Sequence, residues 1–294
     1  MKKILFEGCA TAIATPFTES GVNYEEFGKL IDFQIEQGID ALVVCGTTGE
    51  SATMTNTERK ETFSFAVKKV NSRVPVIIGT GSNCTATAIE LTKYAESIGA
   101  DGALVVTPFY NKATQSGLIE HYKAIASSTN LPIIMYSVPS RTGVNILPKT
   151  CLELSKISNI VAIKEASGNL SQIAEIASLC GDELTIYSGN DDQTLPILSL
   201  GGKGVISVLS NVAPKKTSKM VHDYLSGNFE DAKKVQLESI GLINALFCEV
   251  NPIPVKAALN MLGYNFGTPR LPLTPLSDAN KIALENEMKK YGLL

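Results

Sequence analysis

A lysine closes a strand-like apolar run in the middle of the chain. Lys164 follows the run Ile160–Ile163 and precedes the small, polar stretch Glu165–Asn169. Length and branching predict a buried strand for the run and a turn into a helix for the polar stretch. Burial disfavours the charged form of a lysine, and a neutral amine in a dry pocket is the nucleophile that forms Schiff bases with carbonyl compounds. The alternatives are an ion pair with Glu165 or a strand end whose amine reaches solvent.

A turn rich in hydroxyl groups follows the second strand-like segment. It reads Gly46-Thr47-Thr48-Gly49-Glu50-Ser51. Its backbone N–H groups and threonine hydroxyls suit a small carboxylate. The turn lacks the GK[ST] ending of a phosphate-binding loop. A hydroxyl-rich turn without a ligand is the alternative interpretation.

Two tyrosines and an arginine lie at or just beyond strand ends. Tyr110 follows the fourth strand, Tyr136 ends the fifth, and Arg141 comes shortly afterwards. A Schiff-base enzyme transfers protons at each step, and tyrosine hydroxyls linked through Thr47 can relay them. The planar guanidinium of Arg141 suits a second carboxylate. The alternatives are core tyrosines with satisfied hydroxyls and a surface salt bridge for Arg141.

Eight strand-like segments must position these residues. They are Ala10–Thr15, Ala41–Cys45, Val76–Thr80, Ala103–Thr107, Ile133–Tyr136, Ile160–Lys164, Leu184–Ser188 and Gly204–Val208. Helical patterns separate the strands, among them Tyr24–Gln37, Asn56–Val70, Thr85–Ser97 and Gly117–Ser128. The strands lack polar alternation, as expected for parallel strands buried on both faces.

Strand and helix order predicts an α/β fold, a (β/α)8 TIM barrel over residues 1–227, rather than two doubly wound sheets. A C-terminal helical extension is predicted for residues 228–294, with helices near Phe229–Cys248, Pro254–Leu262 and Ser277–Tyr291. In such a barrel the site lies at the carboxyl ends of the strands. Lys164 meets that condition, whereas Lys203 precedes the eighth strand and falls at the opposite end.

Composition excludes several classes of protein. The 294 residues are 44% hydrophobic and carry a net charge of -3, which provides no general attraction to nucleic acid or to membrane phosphates. No apolar run reaches the ~20 residues that a spanning helix needs, and Met1-Lys2-Lys3 precedes too short an apolar stretch for a secretory leader. Six scattered cysteines without a CxxC pair indicate reduced thiols in a cytoplasmic protein. Two histidines argue against a histidine-rich metal site and a Ser-His-Asp triad.

Three motifs together resemble the dihydrodipicolinate synthase family over essentially the whole chain. Gly46–Ser51 resembles the family's GTTGE(S), Tyr136–Gly143 its YNVPxRTG, and Ile163–Ala166 its IKEA. The resemblance implies a lyase of the class I aldolase type that joins pyruvate to L-aspartate 4-semialdehyde on the diaminopimelate route to lysine. It also implies that no metal or organic cofactor is needed, because the substrate itself becomes the Schiff base.

The resemblance assigns a role to each candidate residue. Lys164 would form the Schiff base, with Thr48 and the Ile206 backbone holding pyruvate. Tyr136 would donate and accept protons, and Thr47 would link it to Tyr110. Tyr110 would reach in from a neighbouring subunit of a tight dimer, with two such dimers forming a homotetramer. Arg141 would bind the carboxylate of the semialdehyde.

Several positions depart from the family pattern. Ser137 stands where asparagine is usual, and Asn190 where the family often has Gly-Asp-Asp. In the cleft where lysine inhibits some members, Ser51, Ala52 and Asn83 match, while Asn56, Thr87 and Phe109 replace a histidine, a glutamate and a tyrosine. Loss of that carboxylate predicts weak inhibition by lysine, or none.

Two alternatives remain from the sequence. Another pyruvate aldolase on the same scaffold, such as N-acetylneuraminate lyase or a keto-deoxy-sugar-acid aldolase, would share the lysine and the tyrosine. Arg141 argues against it, because those enzymes lack the RTG sequence. A non-catalytic binding barrel would have lost Lys164 or a relay hydroxyl, and all of these are present.

Overall fold

Eight parallel strands close into a barrel in the computed structural model, which describes residues 2–294. The strands in chain order are β1 Gly8–Ala12, β2 Phe17–Thr18, β3 Gly21–Val22, β4 Ala41–Val44, β5 Val76–Gly79, β6 Gly102–Val106, β7 Ile133–Ser137, β8 Ile160–Glu165, β9 Thr185–Ser188 and β10 Gly204–Ser207. From β4 onward each strand pairs with the next, and β1 closes the barrel between β10 and β4. The predicted (β/α)8 barrel is therefore confirmed.

Twelve α-helices accompany the strands within residues 2–294. They are α1 Tyr24–Glu36, α2 Asn56–Val70, α3 Thr85–Ser97, α4 Gln115–Ala126, α5 Pro139–Thr142, α6 Pro148–Leu154, α7 Leu170–Cys180, α8 Thr194–Ser199, α9 Pro214–Leu225, α10 Phe229–Leu246, α11 Ile253–Met261 and α12 Asp278–Tyr291. The Asn23 side chain accepts a hydrogen bond from the Glu26 N–H, and Thr55 forms a reciprocal capping box with Glu58. These caps start α1 and α2 where the sequence predicts.

The first strand is the least accurately predicted one. It begins at Gly8, two residues earlier than expected, and ends at Ala12 instead of Thr15. The chain leaves the ladder there because the Ala14 N–H donates to the Asn211 side chain at 3.0 Å. A short antiparallel hairpin of β2 and β3 follows, which the sequence pattern did not indicate.

Side chains from all eight barrel strands meet in one interior cluster. Ile77, Leu104 and Ile206 are among them, and none is more than slightly exposed. At the amino end Phe6 stacks on Tyr187 with ring centroids 4.2 Å apart. Lys203 lies at that end and pairs with Glu7 at 3.1 Å. It is therefore a structural residue, as the sequence predicts.

The helices after the barrel pack along its outer layer. The Tyr291 hydroxyl of α12 bonds to Ser239 of α10 at 2.8 Å, and Lys216 of α9 donates to the Tyr291 carbonyl at 2.8 Å. The division of the chain into a barrel over residues 1–227 and a helical region over 228–294 stays a prediction.

Candidate active site

Lys164 lies near the carboxyl end of β8 with only 5% of its surface exposed. Its Nζ is 4.4 Å from the centroid of the Tyr136 ring. Within residues 2–294 the buried lysine–carboxylate pair is Lys256 with Glu50, and Lys164 takes part in no ion pair. A buried, unpaired amine at this end of a barrel is a candidate for chemistry.

Glu165 does not pair with Lys164, which excludes that alternative. Successive strand residues point to opposite faces, so Glu165 turns outward to the helical layer. Its carboxylate accepts hydrogen bonds from the Ser167 N–H at 2.7 Å and from Gln172 of α7 at 3.2 Å. Burial raises the pKa of Glu165, and the hydrogen bonds from Ser167 and Gln172 oppose the rise.

Tyr136 is the neighbour of Lys164 across the ladder between β7 and β8. It is buried, so the ring forms a wall beside the amine. Tyr136 and Thr47 also line one small cavity of about 50 Å³ together with Ser51. The structure therefore brings Lys164, Tyr136 and Thr47 to one rim, as the sequence predicts, although no hydrogen bond joins the Tyr136 and Thr47 hydroxyls directly.

The turn Gly46–Ser51 is folded tightly against the end of β4. Cys45 and Glu50 both have positive φ, at 52° and 54°. A Cβ on Gly49 would lie 2.9 Å from the Cys45 Cα, and one on Gly79 only 2.2 Å from the Cys45 carbonyl oxygen. The two glycines are required by these close approaches, which pack β5 beneath the turn.

Thr48 and Glu50 of this turn are held by the C-terminal helices. The Asn251 amide donates to Thr48 Oγ1 at 3.0 Å, and Lys256 of α11 pairs with Glu50 at 2.7 Å. The sequence analysis missed both contacts. No local pattern marks them, because the partners are 203 and 206 residues apart.

Arg141 lies in the short helix α5, which follows β7 directly. Its side chain is exposed, and within residues 2–294 it forms no salt bridge with a carboxylate. Hydrogen bonds hold the loop in place: the Ser137 hydroxyl donates to Asn145 at 3.1 Å, and Asn145 donates to Gln172 at 2.6 Å. Arg141 is thus an unpaired cation on a supported loop at the carboxyl end of the barrel.

Tyr110 stands apart from the other candidates. It follows β6, its backbone has φ 73°, and its side chain is 90% exposed. Neighbouring Phe109 is also partly exposed, at 38%. A single chain therefore does not bring Tyr110 to Tyr136 and Thr47.

Ile206 and Asp191 complete the rim. Ile206 is fully buried in β10, opposite Ala10 of β1. Asp191 accepts hydrogen bonds from the Val208 and Leu209 N–H groups at 2.9 and 3.0 Å, which fixes the backbone just after β10. Burial raises the pKa of the Asp191 carboxyl, while these hydrogen bonds and the nearby Lys164 charge oppose the rise. The sequence analysis noted Asn190 beside it but assigned no role to Asp191.

Comparison with known proteins identifies the family. The model of the dihydrodipicolinate synthetase family matches residues 5–291. The chain belongs to that family. Its members are lyases of the class I aldolase type, and the resemblance drawn from the three motifs is confirmed.

Relatives within the dihydrodipicolinate synthetase family match over nearly their whole length. The 4-hydroxy-tetrahydrodipicolinate synthase of Acetivibrio thermocellus is 55% identical over 294 residues, covering 100% of both chains. The dihydrodipicolinate synthase structure from Thermotoga maritima superimposes with a TM-score of 0.97 at 46% identity, covering 99% of this chain and 100% of that one. A structure described as a monomeric dihydrodipicolinate synthase variant gives 0.96 at 46% identity, covering 99% and 98%.

Neither a metal cluster nor a membrane helix is found among residues 2–294. No group of three or more His, Cys, Asp or Glu side chains is arranged to hold a metal ion. No helix there combines the length and the apolar character needed to cross a membrane.

Proposed function

We propose that the chain is a 4-hydroxy-tetrahydrodipicolinate synthase, which condenses pyruvate with L-aspartate 4-semialdehyde through a Schiff base on Lys164. The observation that carries the proposal is the buried amine of Lys164, unpaired and 4.4 Å from the centre of the Tyr136 ring. The names of its full-length relatives support the same reaction.

The first step joins Lys164 to pyruvate. The Lys164 amine attacks the C2 carbonyl carbon; the carbonyl oxygen takes one proton from the amine nitrogen and a second from a neighbouring acid and leaves as water, so that an iminium forms. Tyr136 is the group beside the amine that can deliver and recover protons. The iminium is the electron sink for the next step, which is why we expect no metal and no organic cofactor.

The second step forms the carbon–carbon bond. Loss of a proton from C3 turns the iminium into an enamine, whose C3 attacks the aldehyde carbon of the semialdehyde. The aldehyde oxygen takes a proton and becomes a hydroxyl. The amino group of the former semialdehyde then attacks C2, which closes the ring and releases Lys164 as the free amine.

The substrate carboxylates are assigned to two parts of the rim. We place the pyruvate carboxylate at the turn bearing Thr48, with the Ile206 backbone on the other side of the lysine. Arg141 takes the carboxylate of the semialdehyde, because it is an exposed guanidinium without a carboxylate partner. Thr47 links Tyr136 to Tyr110 of the partner subunit in a dimer, and two dimers make a homotetramer.

Turnover of pyruvate with L-aspartate 4-semialdehyde tests the proposal. The wild-type protein should be active, and Lys164→Ala should lose activity by about four orders of magnitude or more, since the covalent step is removed. Borohydride should reduce a pyruvate adduct onto the wild type but not onto Lys164→Ala. Folded wild-type protein without turnover would refute the acceptor assignment to Arg141, and a sugar-acid aldolase would become the first alternative.

Weak feedback by lysine, or none, is also proposed. The position of the family's glutamate is Thr87, on α3, which offers no carboxylate to a ligand ammonium. A charged hydrogen bond contributes about 1.5–3 kcal/mol, so its loss weakens binding about tenfold to more than a hundredfold. Activity should stay above half at about 1 mM L-lysine. Half-inhibition at submillimolar lysine would contradict this. The triple variant Asn56→His, Thr87→Glu, Phe109→Tyr restores the family's residues and is the comparison that should be more strongly inhibited by lysine.

A cytoplasmic location is proposed on the state of the cysteines. All six are free thiols, including the exposed Cys84 and Cys248. Free exposed thiols are typical of a reducing compartment.

A further inference from the structure

A buried polar side chain of the C-terminal segment, Asn251, contacts Thr48 of the candidate active site. It lies between α10 and α11, and its amide nitrogen donates to Thr48 Oγ1 at 3.0 Å. Both side chains are buried, with 5% of Asn251 and 2% of Thr48 exposed. We propose that Asn251 is a positioning residue for the substrate carboxylate, acting through the Thr48 hydroxyl. This inference rests on the proposed function, which places that carboxylate at Thr48.

The direction of the hydrogen bond determines what Thr48 can do. A hydroxyl has one hydrogen to donate and two lone pairs that accept. Because Asn251 occupies a lone pair, the Thr48 hydrogen stays available for another acceptor. A carboxylate only accepts hydrogen bonds, so a Thr48 hydroxyl held in this way is a donor prepared for the substrate. Accepting a hydrogen bond also polarises the hydroxyl and strengthens its own donation.

A purely structural role does not explain the contact. The turn is already anchored beside Thr48, since Glu50 pairs with Lys256 and accepts from the Arg270 N–H at 3.0 Å. Asn251 bonds to a side-chain hydroxyl and not to the backbone of the turn. Among residues 2–294 its Oδ1 is buried without a hydrogen-bond partner, which destabilises the folded chain. A residue kept only for stability would be expected to satisfy both ends of its amide.

The concentration of pyruvate that gives half-maximal borohydride trapping on Lys164 measures this role directly. In Asn251→Ala it should rise about tenfold while kcat changes by less than about threefold, because ground-state binding of the carboxylate is weakened. Asn251→Asp has nearly the same shape but accepts the Thr48 hydrogen and repels the substrate carboxylate. Its half-saturating concentration should therefore rise further, about a hundredfold.

A double variant and a matched control separate positioning from stability. In a Thr48→Val background, Asn251→Ala should change pyruvate trapping by less than about twofold, because the hydroxyl through which it acts is gone. Asn260→Ala removes an asparagine of α11 that bonds to Gly267 and Phe266 at 3.0 and 2.8 Å. This control should lower the melting temperature and leave pyruvate trapping unchanged.

The outcomes distinguish this inference from the proposed function. Unchanged half-saturation in both Asn251 variants, or additive effects of Asn251→Ala and Thr48→Val, would overturn the role of Asn251 while the Schiff-base chemistry stands. Wild-type protein that traps no pyruvate would overturn both. If Asn251→Ala does not fold, the comparison of Asn251→Asp with wild type decides the matter.

Discussion

Two adjacent buried residues of β8 point to opposite faces of the strand. Lys164 faces the barrel interior beside Tyr136, and Glu165 faces α7 and bonds to Gln172. Because the strand alternates, a carboxylate next in sequence does not neutralise the amine. Glu165 instead joins the hydrogen-bonded chain through Gln172 and Asn145 to Ser137. Among residues 2–294 the lysine amine therefore has no ion-pair partner, while the end of its strand is held in place.

A buried histidine predicts a pH dependence of stability. His121 bonds to Thr85 through Nδ1 at 2.9 Å, and its buried Nε2 has no hydrogen-bond partner among residues 2–294. Protonation would leave a buried N–H unsatisfied, and burial lowers the pKa of His121 from 6.5 to about 4. Because the pKa of His121 is lower in the folded than in the unfolded state, the stability associated with its neutral form is complete above pH 6.5. That stability is lost as the pH falls towards 4. The loss should be about 3 kcal/mol at most.

Urea unfolding of wild type and His121→Gln at fixed protein concentration measures this effect. As the pH falls from 6.5 to 4, the unfolding free energy of the wild type should decrease relative to that of His121→Gln. Other titrating groups are common to both proteins, so they cancel in the difference. Parallel curves over this range would contradict the assignment to His121.

The turn after β4 depends for its shape on α11, which is distant in the sequence. Glu50 has a left-handed backbone, and its carboxylate is fully buried. Lys256 of α11 supplies the compensating charge at 2.7 Å, and burial lowers the pKa of Lys256 while Glu50 opposes the shift. Because Thr47 and Thr48 belong to the same turn, α11 helps to shape the candidate site.

Breaking this pair should destabilise the protein strongly. Lys256→Met leaves a buried carboxylate without its cation, which typically costs about 3–5 kcal/mol. The double variant Lys256→Met, Glu50→Gln removes both charges and should recover a large part of that loss. Chemical denaturation of the wild type, both single variants and the double variant gives the coupling free energy. Additive single effects would show that the pair is not coupled.

At the scale of the whole molecule, one chain presents only part of the proposed relay. The barrel, the C-terminal helices and the turn bring Lys164, Tyr136 and Thr47 together, while Tyr110 extends outward with 90% of its side chain exposed. An exposed tyrosine beside the partly exposed Phe109 is suited to contact another subunit. The proposed dimer would complete each site with a residue from its partner.

Mixed dimers test the shared site. Lys164→Ala and Tyr110→Phe should each be poorly active alone. After unfolding and refolding together in equal amounts, about a quarter of wild-type activity should return, because half of the dimers are mixed and each has one complete site. Sedimentation of the mixture verifies that dimers or tetramers form. Activity no higher than the average of the two variants would contradict a Tyr110 that crosses the interface.

The sequence alone determined the fold class, and it predicted the rim of the barrel and the candidate lysine. Eight apolar runs, capped helices and three motifs are local signals, and they placed Lys164, Tyr136 and Thr47 at the carboxyl end of the barrel. The end of β1 was predicted less well, because a side chain from residue 211 takes the Ala14 N–H.

Only the tertiary structure showed which distant residues hold the candidate site in place. Asn251 reaches Thr48 and Lys256 reaches Glu50 across more than 200 residues. The chain folds α11 against a turn formed early in the sequence, and neither propensity nor hydrophobic period records such a contact. Likewise, alternation along β8 decided that Glu165 lies away from Lys164. The burial of Lys164 and the direction of its side chain are properties of the folded chain as a whole, and they make this lysine a candidate nucleophile.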